Sequence, residues 1–149
     1  MLGMLTFDVE RCTGCHYCEI ACSFRHKAMC GRSDSLIRMV VDDKALLRNA
    51  LFCHQCKKPL CAEVCVVNAI TRDAKTGSVV IDSAKCIGCG ECTTACPFGG
   101  ILMDTESGIA RNCDLCQGKP ACVEYCPTGA LEIRLPGEAR RNKELAVRR

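Results

Sequence analysis

The sequence predicts an α+β fold in which small helices and short antiparallel hairpins surround groups of cysteines. Three observations support this prediction. Sixteen of the seventeen cysteines fall into four groups of four along 149 residues. Three of these groups run into similar segments, CVVNAI, CPFGGI and CPTGAL, which indicates an internal repeat. Short apolar stretches separated by glycine-containing turns follow those segments, as expected of hairpins.

The predicted elements follow one another in a simple order. The strand-like stretches are Leu5–Val9, Leu36–Val41, Ile70–Arg72, Ser78–Asp82, Ile101–Asp104, Ile109–Arg111 and Leu131–Leu135. Turns at Lys75–Gly77 and Glu106–Gly108 join the four central stretches into two hairpins. Short helices should start near the fourth cysteine of each group, for example at Glu19–Arg25 and Ala62–Val66. The segment Gly31–Asn49 is a long crossing connection.

The cysteine spacing is that of iron–sulfur ligand loops. The four groups, called runs one to four, are Cys12, Cys15, Cys18 and Cys22; Cys53, Cys56, Cys61 and Cys65; Cys86, Cys89, Cys92 and Cys96; and Cys113, Cys116, Cys122 and Cys126. Three cysteines on a tight loop bind three irons of one cubane, and the fourth ligates another cluster. Four complete runs therefore predict four [4Fe–4S] clusters. Proline follows runs three and four, whereas Ser23 and Val66 stand there in the other two.

Zinc and disulfides are the alternatives to iron. Thiolates are soft ligands that suit both zinc and iron–sulfur clusters. Runs one and three place four cysteines within eleven residues, which fits a cubane loop better than a zinc site built from two separated pairs. Disulfides favour small secreted frameworks, and the sequence shows no secretory signal. With no tryptophan and 4% aromatic residues, an ordinary core would be poor, so the chain without its cofactors should be largely unfolded.

Charge and motifs exclude several classes of function. The formal charge of +3 counts thiols as neutral, and four clusters at about −2 each would bring it to about −5. The positive residues thus offset cluster charge and do not indicate a nucleic-acid partner. Dinucleotide and phosphate-binding fingerprints are absent, which predicts a non-catalytic chain. No apolar stretch approaches the roughly 20 residues of a membrane span, so we expect a cytoplasmic protein without a direct membrane span.

The four runs in this order, with a wider middle gap in runs two and four, resemble the bacterial two-cluster ferredoxin fold present twice. More closely, they resemble four-cluster electron-transfer subunits of the dimethyl-sulfoxide-reductase and carbon-monoxide-dehydrogenase-associated type. The resemblance covers Cys12 to Leu135. The stretch CHYCEIACSFRHKAM, followed by SDSLIRM, is similar to small iron–sulfur subunits of tungsten aldehyde oxidoreductases.

This resemblance implies an electron-transfer subunit bound to a large catalytic oxidoreductase subunit, with a tungsten or molybdenum aldehyde oxidoreductase-like enzyme as the favoured partner. A flavin subunit or a ferredoxin is the expected second partner. The alternatives are a freestanding diffusible polyferredoxin, a subunit of a carbon-monoxide dehydrogenase or hydrogenase, and a role in maturing another enzyme. Head-to-tail association of identical chains would follow if both ends of the electron pathway are exposed.

The resemblance also implies how the runs pair, the outer two with each other and the inner two with each other. The four ligand sets are set a, with Cys12, Cys15, Cys18 and Cys126; set b, with Cys113, Cys116, Cys122 and Cys22; set c, with Cys53, Cys56, Cys61 and Cys96; and set d, with Cys86, Cys89, Cys92 and Cys65. One polyferredoxin unit, 1–149, would then contain an inner module at 53–104 and an outer module at 1–52 plus 105–135. The basic segment 136–149 is either a docking tail or a solvated terminus.

A few residues near the runs have open roles. Cys30 is the odd cysteine, and a free, partly buried thiol is favoured over a ligand. His16 and His54 lie inside ligand loops, where they either tune a cluster or simply fill the loop; the second is favoured. His26 follows run one and is expected at the surface, with or without a docking role.

Overall fold

The structure, a computed structural model, describes residues 3–42, 44 and 47–134. In this part of the chain, eight strands form four two-stranded antiparallel sheets, and four α-helices lie between them. The strands are β1 (Met4–Phe7), β2 (Arg38–Asp42), β3 (Leu47–Leu51), β4 (Ile70–Arg72), β5 (Val79–Ile81), β6 (Ile101–Met103), β7 (Ala110–Asn112) and β8 (Leu131–Arg134). The helices are α1 (Tyr17–Lys27), α2 (Leu60–Glu63), α3 (Glu91–Ala95) and α4 (Ala121–Glu124). The basic segment 136–149 lies outside the described residues.

The two central hairpins are confirmed, and their turns are built alike. Strand β4 pairs with β5, and β6 pairs with β7. In the first turn, Asp73 Oδ1 accepts the backbone N–H of Lys75 and of Thr76 at 3.1 and 2.7 Å. In the second turn, Asp104 Oδ1 accepts the N–H of Glu106 at 3.0 Å in the same way. Each turn then reverses at a glycine with positive φ, +73° at Gly77 and +68° at Gly108.

The first and last described strands pair with each other. Strand β1 lies antiparallel to β8, with Leu5 opposite Ile133. The predicted opening and closing strands therefore exist, although the opening strand occupies 4–7 and not 5–9. This pairing closes the chain on itself, so that run one and run four lie side by side.

The long connection after α1 contains a third hairpin that was not predicted. Strand β2 was expected, but its partner β3 was missed, because Arg48 and Asn49 interrupt the apolar pattern of that segment. Met39 and Ala50 face each other in the register and are both buried, so one face of the hairpin belongs to the core. The connection thus contains a complete hairpin and not only the single strand that was expected.

The helices also start earlier than predicted. Each helix contains the third cysteine of its run and ends before the fourth, except α1, which contains both Cys18 and Cys22. The reason is spacing: the third and fourth cysteines of every run are four residues apart, which is about one helical turn. One turn therefore directs the two thiols of a run towards neighbouring sites.

Two groups of buried side chains form the core. The large cluster contains Leu5, Cys18, Cys22, Leu36, Ile37, Met39, Ala50, Phe52, Cys113, Leu115, Cys122 and Leu131. The small cluster contains Ile70, Val79, Cys92, Ile101 and Ala110. Strands β1, β2, β3 and β8 contribute to the large cluster, and the two central hairpins contribute to the small one. Among the described helices, none is both long and apolar enough to cross a membrane.

Candidate metal centres

The residues of set a line one cavity. The first three cysteines of run one and Cys126 of run four surround a space of about 330 Å³, which includes the solvent at its mouth. Phe7, Met39 and Leu131 form its apolar wall. Residues more than a hundred positions apart meet here because β1 pairs with β8.

The residues of set d line a second cavity of similar size. The first three cysteines of run three and Cys65 of run two surround about 340 Å³, again with solvent at the mouth included. Ile70, Ile81 and Ala110 stand behind them. The tight loop between the first two cysteines of run three depends on Gly88, where a Cβ would lie 2.3 Å from the carbonyl oxygen of Gly108. Only glycine permits this approach.

Within set b, and likewise within set c, the cysteines lie close enough together to affect the pKa of one another's thiols. Burial raises the pKa of the Cys122 thiol, and the neighbouring Cys22 and Cys116 raise it further. Burial likewise raises the pKa of Cys61 to about 11, with added repulsion from Cys53 and Cys96. The structure therefore brings together cysteines from runs one and four, and from runs two and three, at these two places as well.

The electrostatic neighbours also connect one set to the next. Cys122 of set b is influenced by Cys18 of set a. Cys113 of set b is influenced by Cys53 of set c. Within the sixteen predicted ligands, the exposed cysteines are Cys15 in set a and Cys89 in set d, whereas all four members of set b are buried. Sets a, b and c are thus neighbours in that order, and the exposed thiols lie in sets a and d.

Backbone N–H groups point at sulfur atoms in every run. The donors and acceptors are Gly14 to Cys12 at 3.4 Å, Leu36 to Cys22 at 3.3 Å, Ala69 to Cys65 at 3.3 Å, Gly100 to Cys96 at 3.4 Å, and Leu115 to Cys113 at 3.4 Å. Such bonds favour a thiolate and are typical of cysteines that ligate a metal centre. A loop that wraps around a bound group turns its amides inwards in this way.

Several of the predicted ligand thiols are buried where a thiolate would be unfavourable unless a cationic group were bound beside it. Burial raises the pKa of Cys18 to about 12 and that of Cys113 well above its usual range. Thiolates in such places need positive charge beside them, and iron supplies it. The thiol of Cys126 differs: burial opposes its ionisation, but N–H groups of Leu131 and Ala130 and the Thr128 hydroxyl outweigh burial and lower its pKa.

Two further observations test the fit of iron–sulfur clusters. The structure describes all seventeen cysteines and joins none of them in a disulfide. Ser23 is fully buried, and its Oγ has no hydrogen-bond partner among the described residues. A buried hydroxyl without a partner is uncommon and is expected where an acceptor on a bound group completes the site. The donor set, the inward amides and this hydroxyl fit iron–sulfur clusters as the bound groups.

Two side-chain amides join the loops of runs two and four, and sequence reasoning missed both. Gln55 is buried; it donates to the Cys113 carbonyl at 2.6 Å and accepts the N–H of Val79 at 2.5 Å. Asn112 donates to the Val79 carbonyl at 2.7 Å and approaches Cys53 Sγ at 3.5 Å. These amides fix sets b and c relative to strand β5. Nothing in a single sequence separates such amides from ordinary surface ones.

A buried carboxylate, also missed, anchors α1 to the long connection. Glu19 is 3% exposed and lies between the two cysteines of α1. Its oxygens accept hydrogen bonds from the Met39 N–H at 2.9 Å, from Arg32 Nε at 2.7 Å and from His16 Nδ1 at 2.6 Å. The His16 ring is therefore satisfied inside its loop, as favoured. The sequence shows that Glu19 directly follows Cys18 on a predicted helix. It does not show that Met39 and Arg32 lie against its carboxylate.

For the remaining histidines and Cys30, the prediction is met at His54 and is wrong at His26 and Cys30. His54 stacks between Phe52 and Phe98, at 4.8 and 4.1 Å between ring centroids, and so fills its loop. His26 was expected at the surface, but its side chain is 16% exposed, and burial lowers its pKa. Cys30 was expected to be partly buried, but it is exposed, because it lies beyond the end of α1.

Comparisons with known proteins identify iron–sulfur relatives of this chain. Residues 44–135 match the 4Fe–4S dicluster domain, and residues 9–25 match a 4Fe–4S binding domain. The putative electron transport protein YsaA of Escherichia coli K12 is 38% identical over 135 residues, which are 84% of this chain and 85% of YsaA. The thiosulfate reductase electron transfer subunit PhsB of Salmonella typhi is 33% identical over 145 residues, with coverage of 87% and 74%. The chain belongs to the 4Fe–4S dicluster domain family.

The fold has a counterpart among solved structures. A chain of the active site complex BamBC of benzoyl coenzyme A reductase, in complex with benzoyl-CoA, matches with a TM-score of 0.54 and 23% identity. The match covers 90% of this chain and 80% of that one. Two other curated relatives are far longer, since this chain spans only 21% and 29% of their length.

Proposed function

We propose that this member of the 4Fe–4S dicluster domain family is a non-catalytic electron-transfer subunit that holds four [4Fe–4S] clusters at sets a, b, c and d. The observation that supports this most strongly is the pair of cavities, each lined by three cysteines of one run and the fourth cysteine of another. This three-plus-one arrangement is the ligand pattern of two-cluster ferredoxins. The electrostatic neighbours within sets b and c support the same arrangement there.

The protein's own residues have three tasks in this proposal. The sixteen thiolates hold the clusters, and the backbone N–H groups of all four runs stabilise the sulfur charge. Apolar side chains of the two core clusters exclude water from the sites. A cluster held there supplies one-electron redox chemistry, whose potential depends on burial, hydrogen bonds and net charge.

The two exposed cysteines suggest where partners approach. Set a, which contains Cys15, stands at one end of the neighbour order a, b, c, and set d, which contains Cys89, shares runs two and three with set c at the other end. We therefore propose that set a and set d are the two ends of the electron pathway, with sets b and c between them. The same two ends would permit head-to-tail association of identical chains.

The division into modules is part of the same proposal. The inner module would comprise residues 53–104 and the outer module residues 1–52 and 105–135, within one unit of 149 residues. The boundary after residue 104 falls in the turn between β6 and β7, and Ala110 packs in the small cluster. Strand β7, although it falls in the outer range, pairs with β6 and would therefore connect the two modules. Segment 136–149 would dock the partner.

The catalytic partner is the most open element of the proposal. PhsB is by name an electron transfer subunit of a reductase, which supports a dedicated large subunit here too. The likeness of the run-one stretch to subunits of tungsten aldehyde oxidoreductases favours a tungsten or molybdenum enzyme, with a flavin subunit or a ferredoxin as the second partner. A carbon-monoxide dehydrogenase or hydrogenase is the alternative. We place the complex in the cytoplasm, where thiols remain reduced before cluster assembly.

The decisive experiment is anaerobic purification of the native protein, with subunit composition and metal content measured together. We expect about sixteen irons on this chain and a large subunit in fixed stoichiometry. Replacing Cys89 by Ser should abolish electron exchange at one end and disturb one cluster signal in electron paramagnetic resonance spectra. Replacing Cys30, the exposed non-ligand cysteine, is the matched control and should change neither. Zinc in place of iron would contradict the proposal.

A freestanding polyferredoxin is the second candidate. YsaA, which this chain covers over 85% of its length, is by name a putative electron transport protein without a named enzyme. The same purification separates the two candidates, because a carrier would be recovered as a monomer with the full iron content.

A further inference from the structure

The side chain of His26 lies beside a predicted cluster ligand that belongs to another part of the chain. His26 is in the last turn of α1, four residues after Cys22, and its side chain is only 16% exposed. Positions four apart share a helix face, so the ring lies on the face that carries this ligand of set b. Its Nε2 is 3.8 Å from the sulfur of Cys116, a second ligand of the same set.

A second polar neighbour of the same nitrogen, Asp114, fixes its role. Nε2 is 3.7 Å from Asp114 Oδ1, and the same oxygen accepts the backbone N–H of Cys116 at 2.8 Å. A ligating thiolate and a carboxylate are both acceptors and cannot donate to the ring. Nε2 must therefore carry the hydrogen. This assignment holds for the neutral and for the charged ring, so it does not depend on the protonation state of His26.

We propose that His26 donates an N–H bond to the Cys116 sulfur and thereby raises the reduction potential of the cluster at set b. A donor beside a ligating sulfur stabilises the added negative charge of the reduced cluster more than it stabilises the oxidised form. His26 is a positioning and tuning residue and not a ligand. This inference rests on the proposed function, because it requires a cluster at set b.

Other side-chain donors near sulfur do not offer the same effect. Asn112 approaches Cys53 at 3.5 Å, but its amide is already engaged by the carbonyls of Val79 and Cys113. The Thr128 hydroxyl approaches Cys126 at 3.7 Å from only two residues away, and either atom of that pair could be the donor. His26 differs because its ring reaches a run 90 residues distant, where Cys116 Sγ and Asp114 Oδ1 both face its Nε2.

The test is a redox titration of the four clusters in the full chain, followed by electron paramagnetic resonance. Replacing His26 by Phe keeps the ring and removes the donor. We expect one of four midpoint potentials to fall and the other three to stay. A tenfold change in the ratio of reduced to oxidised cluster, the rough worth of one such bond, corresponds to 59 mV for a one-electron couple. His26→Gln keeps a donor and should retain most of the wild-type potential.

The control is the same substitution at His54, another half-buried imidazole. His54→Phe should leave all four potentials unchanged, because His54 stacks between two phenylalanines. Four unshifted potentials in His26→Phe would overturn the inference while leaving the proposed function intact, as would an equal fall in His26→Gln. Fewer than four clusters in the wild-type chain would instead count against the proposed function. Three clusters with one zinc held by His26, Asp114 and Cys116, whose ligand atoms lie within 4.8 Å of one another, would overturn both.

Discussion

The two core clusters of this chain are stabilised in different ways. The large cluster has many bulky apolar side chains, among them Ile37 and Phe52, beside four predicted ligands, Cys18, Cys22, Cys113 and Cys122. The small cluster has only three such buried side chains, together with one alanine and the ligand Cys92. Burial of apolar area is the main favourable term of folding, so the small cluster should depend far more on its metal.

A chain with few aromatic residues can fold because most of its longer strand pairings surround the large cluster. The hairpin of β2 and β3, the pairing of β1 with β8 and the Glu19 network all belong to the large cluster. Around the small cluster the hairpins are three residues long per strand, which is marginal without further support. Cluster binding would therefore complete the inner part of the molecule and only reinforce the outer part.

Removal of iron should have the largest effect and should separate the two regions. We expect β4 to β7 to exchange their amide hydrogens nearly as fast as an unfolded chain in the iron-free protein. Amides of β2 and β3 should remain protected by roughly tenfold or more. Hydrogen exchange measured by mass spectrometry, with and without anaerobic chelation, tests this. Equal loss of protection in both regions would show that the comparison is wrong.

Truncation of core side chains should have the next largest effect. Ile37→Ala removes a side chain that is 1% exposed and should cost about 3 kcal/mol of the free energy of unfolding. Ile101→Ala in the small cluster should cost less, about 2 kcal/mol, because fewer buried neighbours surround the cavity. Val40→Ala is the exposed control and should change stability by less than about 0.5 kcal/mol. Guanidinium unfolding of the iron-loaded variants gives all three values.

Loss of the buried carboxylate should have an intermediate effect confined to the large cluster. Glu19→Ala leaves the Met39 N–H and the Arg32 guanidinium without their acceptor, and we expect a loss of about 2 kcal/mol. Glu63→Ala, an exposed glutamate of α2, serves as the control and should be neutral. Faster amide exchange in β4 or β5 of the Glu19 variant would mean that the two regions are not independent.

The ion pairs that link the two regions should have the smallest effect. Lys27 Nζ lies 2.8 Å from Asp34 and 3.1 Å from both Asp104 and Glu106, so it ties the end of α1 to the turn after β6. Lys27→Met should lower the thermal midpoint modestly, and more at low salt than at high salt, because salt only partly screens pairs as shielded as Lys27–Asp104. Lys85→Met, which loses one exposed pair with Asp82 at 3.6 Å, is the control. A large salt-independent loss would assign Lys27 a packing role.

Sequence reasoning predicted most of the fold but not its internal contacts. The two central hairpins were predicted from short apolar stretches that flank turns ending in glycine, at Lys75–Gly77 and Glu106–Gly108. Strand β3 did not follow, because Arg48 and Asn49 break its pattern and only the pairing with β2 makes it a strand. The helices were predicted to start too late along the chain, because the prediction did not use the one-turn spacing between the third and fourth cysteines of each run. Gln55 and Asn112 were missed, because their partners lie far away in the sequence.

The sequence by itself determined the family and the chemistry of the sites, because the spacing of cysteines is a local property that the chain carries with it. Cubane loops need three thiolates close together, and no distant contact is needed to recognise them. Only the tertiary structure decided which buried side chains stand beside the sulfurs. Glu19 and His26 are unremarkable on a helix, and their roles arise from Met39 and Cys116, which the folded chain brings to them. Such contacts depend on strand pairing and burial over long separations, which no local pattern encodes.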